Sequence, residues 1–153
     1  MKQVAHFSII SFDEFKEIFE NKTTFNQSKT KWSETEILSL YKNITIPEQK
    51  GPYYVFKNLF HFTLPSKDYS IIPLGIKVEI IEESYILNVF KYTEANTRVK
   101  NIEISAFSIV PFFTSDYEGN LYLLMKNNTD YPISFETDEK FACGIFIPTG
   151  MTF

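Results

Sequence analysis

Cysteine is almost absent from this chain. Cys143 is the one cysteine in 153 residues, so no intrachain disulfide forms and a two-cysteine zinc site is excluded. Glycine is scarce as well. Five glycines, spread singly, leave no glycine-rich loop to cradle a phosphate. No apolar run approaches the ~18 residues that a membrane span needs, and the N-terminus turns acidic at Asp13 and Glu14, too soon for a signal peptide. An intracellular protein, not secreted and without a membrane partner, is expected. The N-x-S/T triplets at Asn21, Asn26, Asn43 and Asn127 are then expected to stay unmodified. Positive charge is in deficit too: 15 Lys and Arg against 19 Asp and Glu give a net charge of −4, with no basic run. Nucleic acid is therefore not an expected partner. His6 and His61 lie far apart with no carboxylate pattern around them. Neither reads as a metal ligand or a base, and no metal site is expected.

Aromatic residues are what the chain has in plenty: 16 Phe, 9 Tyr and 1 Trp. Phe and Tyr suit pleated, half-buried surfaces and point to β structure. The first forty residues differ from the rest. Ser11 with Glu14 and Ser33 with Glu36 have capping-box spacing. The apolar residues that follow each serine predict helices over 12–20 and 34–41. The polar stretch between them reads as loop, and a regular, well-packed core is not expected here. From Asn43 onward the hydrophobic period becomes two. Strands are predicted over 44–47, 53–56, 60–64, 70–81, 84–92, 99–104, 107–113, 120–126, 133–136 and 140–147, separated by turn residues. Short, evenly spaced strands imply a β-sandwich, a jelly roll or a small barrel. The expected division is a helical N-terminal extension, 1–43, and a β domain, 44–153.

Carboxylates gather in the last quarter, mostly at turns, where Asp and Glu are simply solvated. Asp116-Tyr117-Glu118-Gly119-Asn120 is the most site-like stretch: an acidic turn with an aromatic and a glycine between two apolar runs. It would hold a polar ligand, or it is a hairpin turn with nothing bound; composition favours the second reading. Cys143, within an apolar run, reads as a buried, inert thiol. The chain ends Met151-Thr152-Phe153, a hydrophobic-x-hydrophobic carboxyl terminus of the kind PDZ domains take up by strand addition. These three residues are the partner-binding candidates.

Three segments taken together resemble the dUTPase/dCTP deaminase family. Ile72-Pro73-Leu74-Gly75-Ile76-Lys77-Val78-Glu79-Ile80 is similar to the family's V-P-T-G stretch and the strand after it. Phe112-Phe113-Thr114-Ser115-Asp116-Tyr117-Glu118-Gly119-Asn120 is similar to its nucleoside-binding hairpin, and Leu121 to Pro148 to the strand, turn and strand that follow. The resemblance covers residues 44–153 and leaves out the first forty. It implies an all-β, dUTPase-like barrel or jelly-roll-type sandwich with one or two short N-terminal helices, assembled as a homotrimer.

The catalytic motifs depart from that pattern. Thr114 stands where the family has the aspartate that activates water, and a threonine hydroxyl is no base at neutral pH. Lys91-Tyr92-Thr93-Glu94 stands where the R-S-G phosphate motif belongs, and Leu124 where the deaminase branch has its glutamate. The glycine-rich C-terminal arm of the family is not expected here. The resemblance therefore implies a non-catalytic member, of viral or phage type, acting through an unknown protein partner. No catalytic residue and no cofactor are assigned. Ligand-binding candidates are Thr114, Asp116, Tyr117, Gly119 and Lys91, with a nucleotide as the ligand in question. Two alternatives stay open. One is a divergent nucleotide-hydrolysing enzyme that uses Asp116 or Glu118, with Mg²⁺ required only in that case. The other is a viral structural β-sandwich.

Overall fold

Ser11 and Ser33 start helices, as their spacing predicts. The computed structural model describes residues 3–20, 32–92 and 101–150. In it α1 runs Phe12–Glu20 and α2 runs Glu34–Lys42. Ser33 forms a complete capping box: its hydroxyl accepts from the Glu36 amide at 3.1 Å, and the Glu36 carboxylate accepts from the Ser33 amide at 3.0 Å. At α1 the Ser11 hydroxyl accepts from the Glu14 amide at 3.2 Å, but the Glu14 carboxylate is directed elsewhere, to a turn described below.

Helical spacing places Phe15, Ile18 and Phe19 on one face of α1, and all three are buried. The Tyr41 ring of α2 lies 5.4 Å from Phe12 and 5.5 Å from Phe15, and its hydroxyl donates to the Ile10 carbonyl at 2.6 Å. Phe19, Trp32 and Phe60 meet edge-on, with centroids 5.2, 5.8 and 5.7 Å apart. Full burial of each such phenylalanine contributes about 1.5–3 kcal/mol. The polar stretch 21–31, where no regular core is expected, lies outside the described residues; the aromatics of the two helices join the same hydrophobic cluster as the strands.

A strand also lies inside the stretch expected to be helical. β1 (Ala5–Ile9) pairs antiparallel with β6 (Ile76–Ile80), in register from Ala5 opposite Ile80 to Ile9 opposite Ile76. The other strands are β2 (Glu48–Lys50), β3 (Tyr53–Lys57), β4 (Phe62–Leu64), β5 (Tyr69–Pro73), β7 (Tyr85–Lys91), β8 (Ile102–Ala106), β9 (Tyr122–Asn127), β10 (Ile133–Phe135) and β11 (Lys140–Pro148). They form antiparallel sheets in the orders β2-β3-β11-β7, β5-β9-β8, β1-β6 and β10-β4. The described residues are thus mostly β with two short helices, as the sequence implies. The sheets are open, however, and no closed barrel forms among the described residues.

Two predicted strands are corrected. Residues 44–47 are irregular, with Ile44 buried and Ile46 56% exposed. Ile44 packs instead against the β5–β6 turn, where Gly75 has φ +74° and a Cβ would stand 2.7 Å from Ile44 Cδ1. Residues 107–113 are a loop, closed by a bridge between Phe113 and Leu87 of β7. Phe107 and Ile109 alternate with Ser108 as a strand would, but Pro111 lacks the amide a ladder needs. Of the strand predicted over 99–104, the first two residues lie outside the described ones, and β8 begins at Ile102.

Candidate functional site

The acidic stretch singled out in the sequence folds as a tight turn leading into β9. The Thr114 hydroxyl accepts from the Asp116 amide at 3.3 Å, and the Thr114 carbonyl accepts from the Tyr117 amide at 3.1 Å. Gly119 has φ +83°, a conformation that side chains oppose. Tyr117 is held from two sides. Its ring lies 4.6 Å from the fully buried Phe113, and its hydroxyl donates to the Asn120 carbonyl at 2.6 Å.

Asn120 is the knot of the turn. It is buried. Its Oδ1 accepts from the Gly75 amide at 2.7 Å, which fastens the β5–β6 turn. Its Nδ2 donates to the Leu121 carbonyl at 2.9 Å. Its own backbone amide donates to the Glu14 carboxylate of α1 at 3.0 Å. Glu14 Oε2 also stands 3.2 Å from where a Gly119 Cβ would be. A helix residue placed 106 positions earlier therefore covers the inner side of the turn.

A recess of about 260 Å³ opens beside this contact, lined by Glu14, Glu17, Ile18, Tyr117, Glu118 and Tyr122 among others. Among the described residues three carboxylates and no cation line it, and the tyrosines register the effect. Burial first, then Tyr122 and the Glu14 carboxylate, push Tyr117 up to about 12. Tyr122 is also raised, chiefly by burial and further by Glu14 and Glu17, against a hydrogen bond from Asn120 that lowers it. A phosphate entering here would meet negative charge with no partner to neutralise it.

The sequence candidates divide in space. Thr114, Asp116, Tyr117 and Gly119 share the turn; Asp116 faces solvent and Thr114 is half-buried. Lys91, at the end of β7, lines a separate groove with Phe90, Ile102, Ile104, Leu124 and Lys126, away from the turn's recess. Met151, Thr152 and Phe153 lie outside the described residues. Cys143 is buried. His61 is 3.6 Å from Glu136 in an exposed contact. Among the described residues no three His, Cys, Asp or Glu side chains gather so as to hold a metal ion. Sequence reasoning missed Glu14. Its capping-box spacing explained it as a helix start, and nothing local announces its contact with Asn120.

No protein-family profile matches this chain, and no curated protein matches it. Solved structures do. A point mutant of the dUTPase of Staphylococcus bacteriophage 80alpha superposes with a TM-score of 0.61 at 15% identity, over 73% of this chain and 88% of that one. Another mutant of the same phage enzyme, with dUpNHpp, gives 0.59 at 18%, over 70% and 78%. The native dUTPase of EIAV gives 0.59 at 14%, over 85% and 91%. A share of 85% is more than residues 44–153 make up, so this likeness reaches into the first 43 residues, which the sequence resemblance left out. At these identities the likeness speaks for the fold alone: the chain has a dUTPase-like β fold.

Proposed function

We propose that this chain is a non-enzymatic protein-interaction module built on a dUTPase-like scaffold, assembled as a homotrimer. One observation carries the reading. The turn that resembles the family's nucleoside-binding hairpin spends its Asn120 amide on the chain's own Glu14 carboxylate, at 3.0 Å. That donor is thus already satisfied by an acceptor from inside the chain. The surrounding chemistry agrees with it. Thr114 offers no carboxylate to activate water, and among the described residues the recess of the turn holds Glu14, Glu17 and Glu118 and no cation. A triphosphate needs cationic groups or a metal against its charge. Signalling on this fold has a precedent: phage dUTPases, that of 80alpha among them, control transfer of virulence genes by a G protein-like mechanism. The viral or phage origin expected from the sequence fits the same reading.

Calorimetric titration with dUpNHpp in Mg²⁺ tests it. The expected result is no saturable heat at micromolar protein. Saturable micromolar binding, lost in Asp116→Asn, would favour a nucleotide-binding function for the turn instead.

A further inference from the structure

Between the end of β3 and the β5–β6 turn lies a second recess, which shares no residue with the acidic one. It holds about 250 Å³, and Val55, Phe56, Leu59, Leu74 and Ile76 give it an apolar wall. Asn58 belongs to that wall and is only 1% exposed. Its backbone is committed: the amide donates to the Glu139 carbonyl at 2.8 Å, and the carbonyl accepts from the Asp138 amide at 2.8 Å. Its Nδ2 donates to the Phe60 carbonyl at 2.6 Å and to the Glu136 carbonyl at 2.9 Å. Two carbonyls can be met only by the NH₂ end, so the orientation of this side-chain amide is fixed by its bonds. Asn58 Oδ1 is then the atom left over. It is buried and has no hydrogen-bond partner among the described residues. A buried acceptor without a donor is costly, and in folded proteins it calls for an explanation.

The walls of this recess are held from outside it. The Leu74 amide donates to the Leu121 carbonyl at 2.9 Å, and the Ile76 carbonyl accepts from the Leu121 amide at 2.8 Å. β3 is paired on both edges, with β2 and β11. A ligand would enter a formed site and would not have to order one. Charge at the mouth is mixed. Glu48, Lys57 and Asp138 line it and are exposed, and Glu48 stands 3.8 Å from Lys50 and 4.0 Å from Lys140. With both signs present, the mouth selects neither a cation nor a phosphate. The apolar wall suits an apolar body, and Oδ1, purely an acceptor, requires one donor on it. A cavity of roughly 150 Å³ admits benzene, so this recess has room for two fused rings.

We infer that this recess is a binding site for a small, neutral ring compound that donates one N–H or O–H hydrogen bond to Asn58 Oδ1. The ring packs on the apolar wall, and the donor gives the buried oxygen its partner. The site is separate from the Asp116–Asn120 turn and does not rest on the interaction-module reading, so either stands if the other fails.

Indole is the probe. Benzofuran, of nearly the same size and shape but with an oxygen in place of the N–H, is its control. Each is titrated into the full-length chain and followed by calorimetry and amide NMR. Indole should bind saturably in the submillimolar range and shift the Asn58 side-chain amide signals; benzofuran should bind about tenfold more weakly or worse, because it leaves Oδ1 unpaired. Asn58→Leu would also remove the two bonds to the Phe60 and Glu136 carbonyls, so the localising variant is Thr45→Trp. Thr45 is exposed at the mouth, and a bulky ring there leaves the bonds of Asn58 in place. Thr45→Trp should abolish indole binding with an unchanged circular dichroism spectrum. Equal affinity for indole and benzofuran, or indole binding that survives Thr45→Trp, overturns the site. So does the absence of saturable binding up to the solubility of indole, which leaves Oδ1 to a bound water alone.

Discussion

At Asn120 a single residue ties three parts of the chain: the β5–β6 turn through Gly75, the start of β9 through Leu121, and α1 through Glu14. Glu14→Ala removes a charge-assisted acceptor from that knot and leaves the Asn120 amide without it. We expect a loss of about 1–2 kcal/mol in urea unfolding, against about 0.5 kcal/mol or less for Glu17→Ala on the same helix. Tyr117 gives a second prediction at this scale. Its folded hydroxyl titrates at about 12 rather than at the usual 10.0, first because it is buried. The unfolded chain therefore releases that proton more readily than the folded one. The contribution of this group to stability is complete below pH 10 and is lost as pH rises from there through about 12. Stability measured from about pH 8 to 12 should fall over that window, and Tyr117→Phe should flatten part of the fall. Tyr122, also raised, contributes in the same direction.

At the scale of elements, α1 belongs to the core. Phe15 is fully buried and meets Phe19 and Tyr41 with ring centroids 4.8 and 5.5 Å away. Phe15→Ala should cost about 3–5 kcal/mol, enough to unfold a marginal domain, whereas Ser33→Ala, which removes one cap of α2, should cost about 1 kcal/mol. Chemical denaturation of the two variants measures the contrast. The two helices were legible in the sequence because their signals are local: a serine, a glutamate three residues on, and apolar residues at helical spacing. The alternation of β6, with Ile76, Val78 and Ile80 buried and Lys77 and Glu79 exposed, was legible for the same reason. β1 was not. Its residues carry no turn signal and become a strand through pairing with β6, far along the chain. Residues 107–113 failed in the opposite sense: a strand-like pattern was overruled by Pro111, and the segment pairs at its ends, Phe107 with Tyr122 and Phe113 with Leu87, without forming a strand. The site follows the same rule. Asp116–Asn120 stood out by composition. Glu14 did not, because its capping role gave it a sufficient local explanation. Lys91 was grouped with the turn by resemblance, although its strand carries it to another groove.

At the scale of the molecule, the open sheets, the N-terminal strand and α1 make a dUTPase-like fold in which the first twenty residues help to close the turn the family resemblance points to. In that turn Thr114 offers no base, the Glu14 carboxylate accepts from the Asn120 amide, and three carboxylates face the recess. On the non-enzymatic reading, the absence of a general base at Thr114 would by itself lower the rate about 10²–10⁴-fold, and the charge of the recess would act in the same direction. The most direct measurement is turnover of dUTP by the purified wild-type chain in Mg²⁺, read as pyrophosphate release. The account predicts no release above the buffer rate. Turnover at ordinary enzyme rates, abolished by Asp116→Asn, would contradict it.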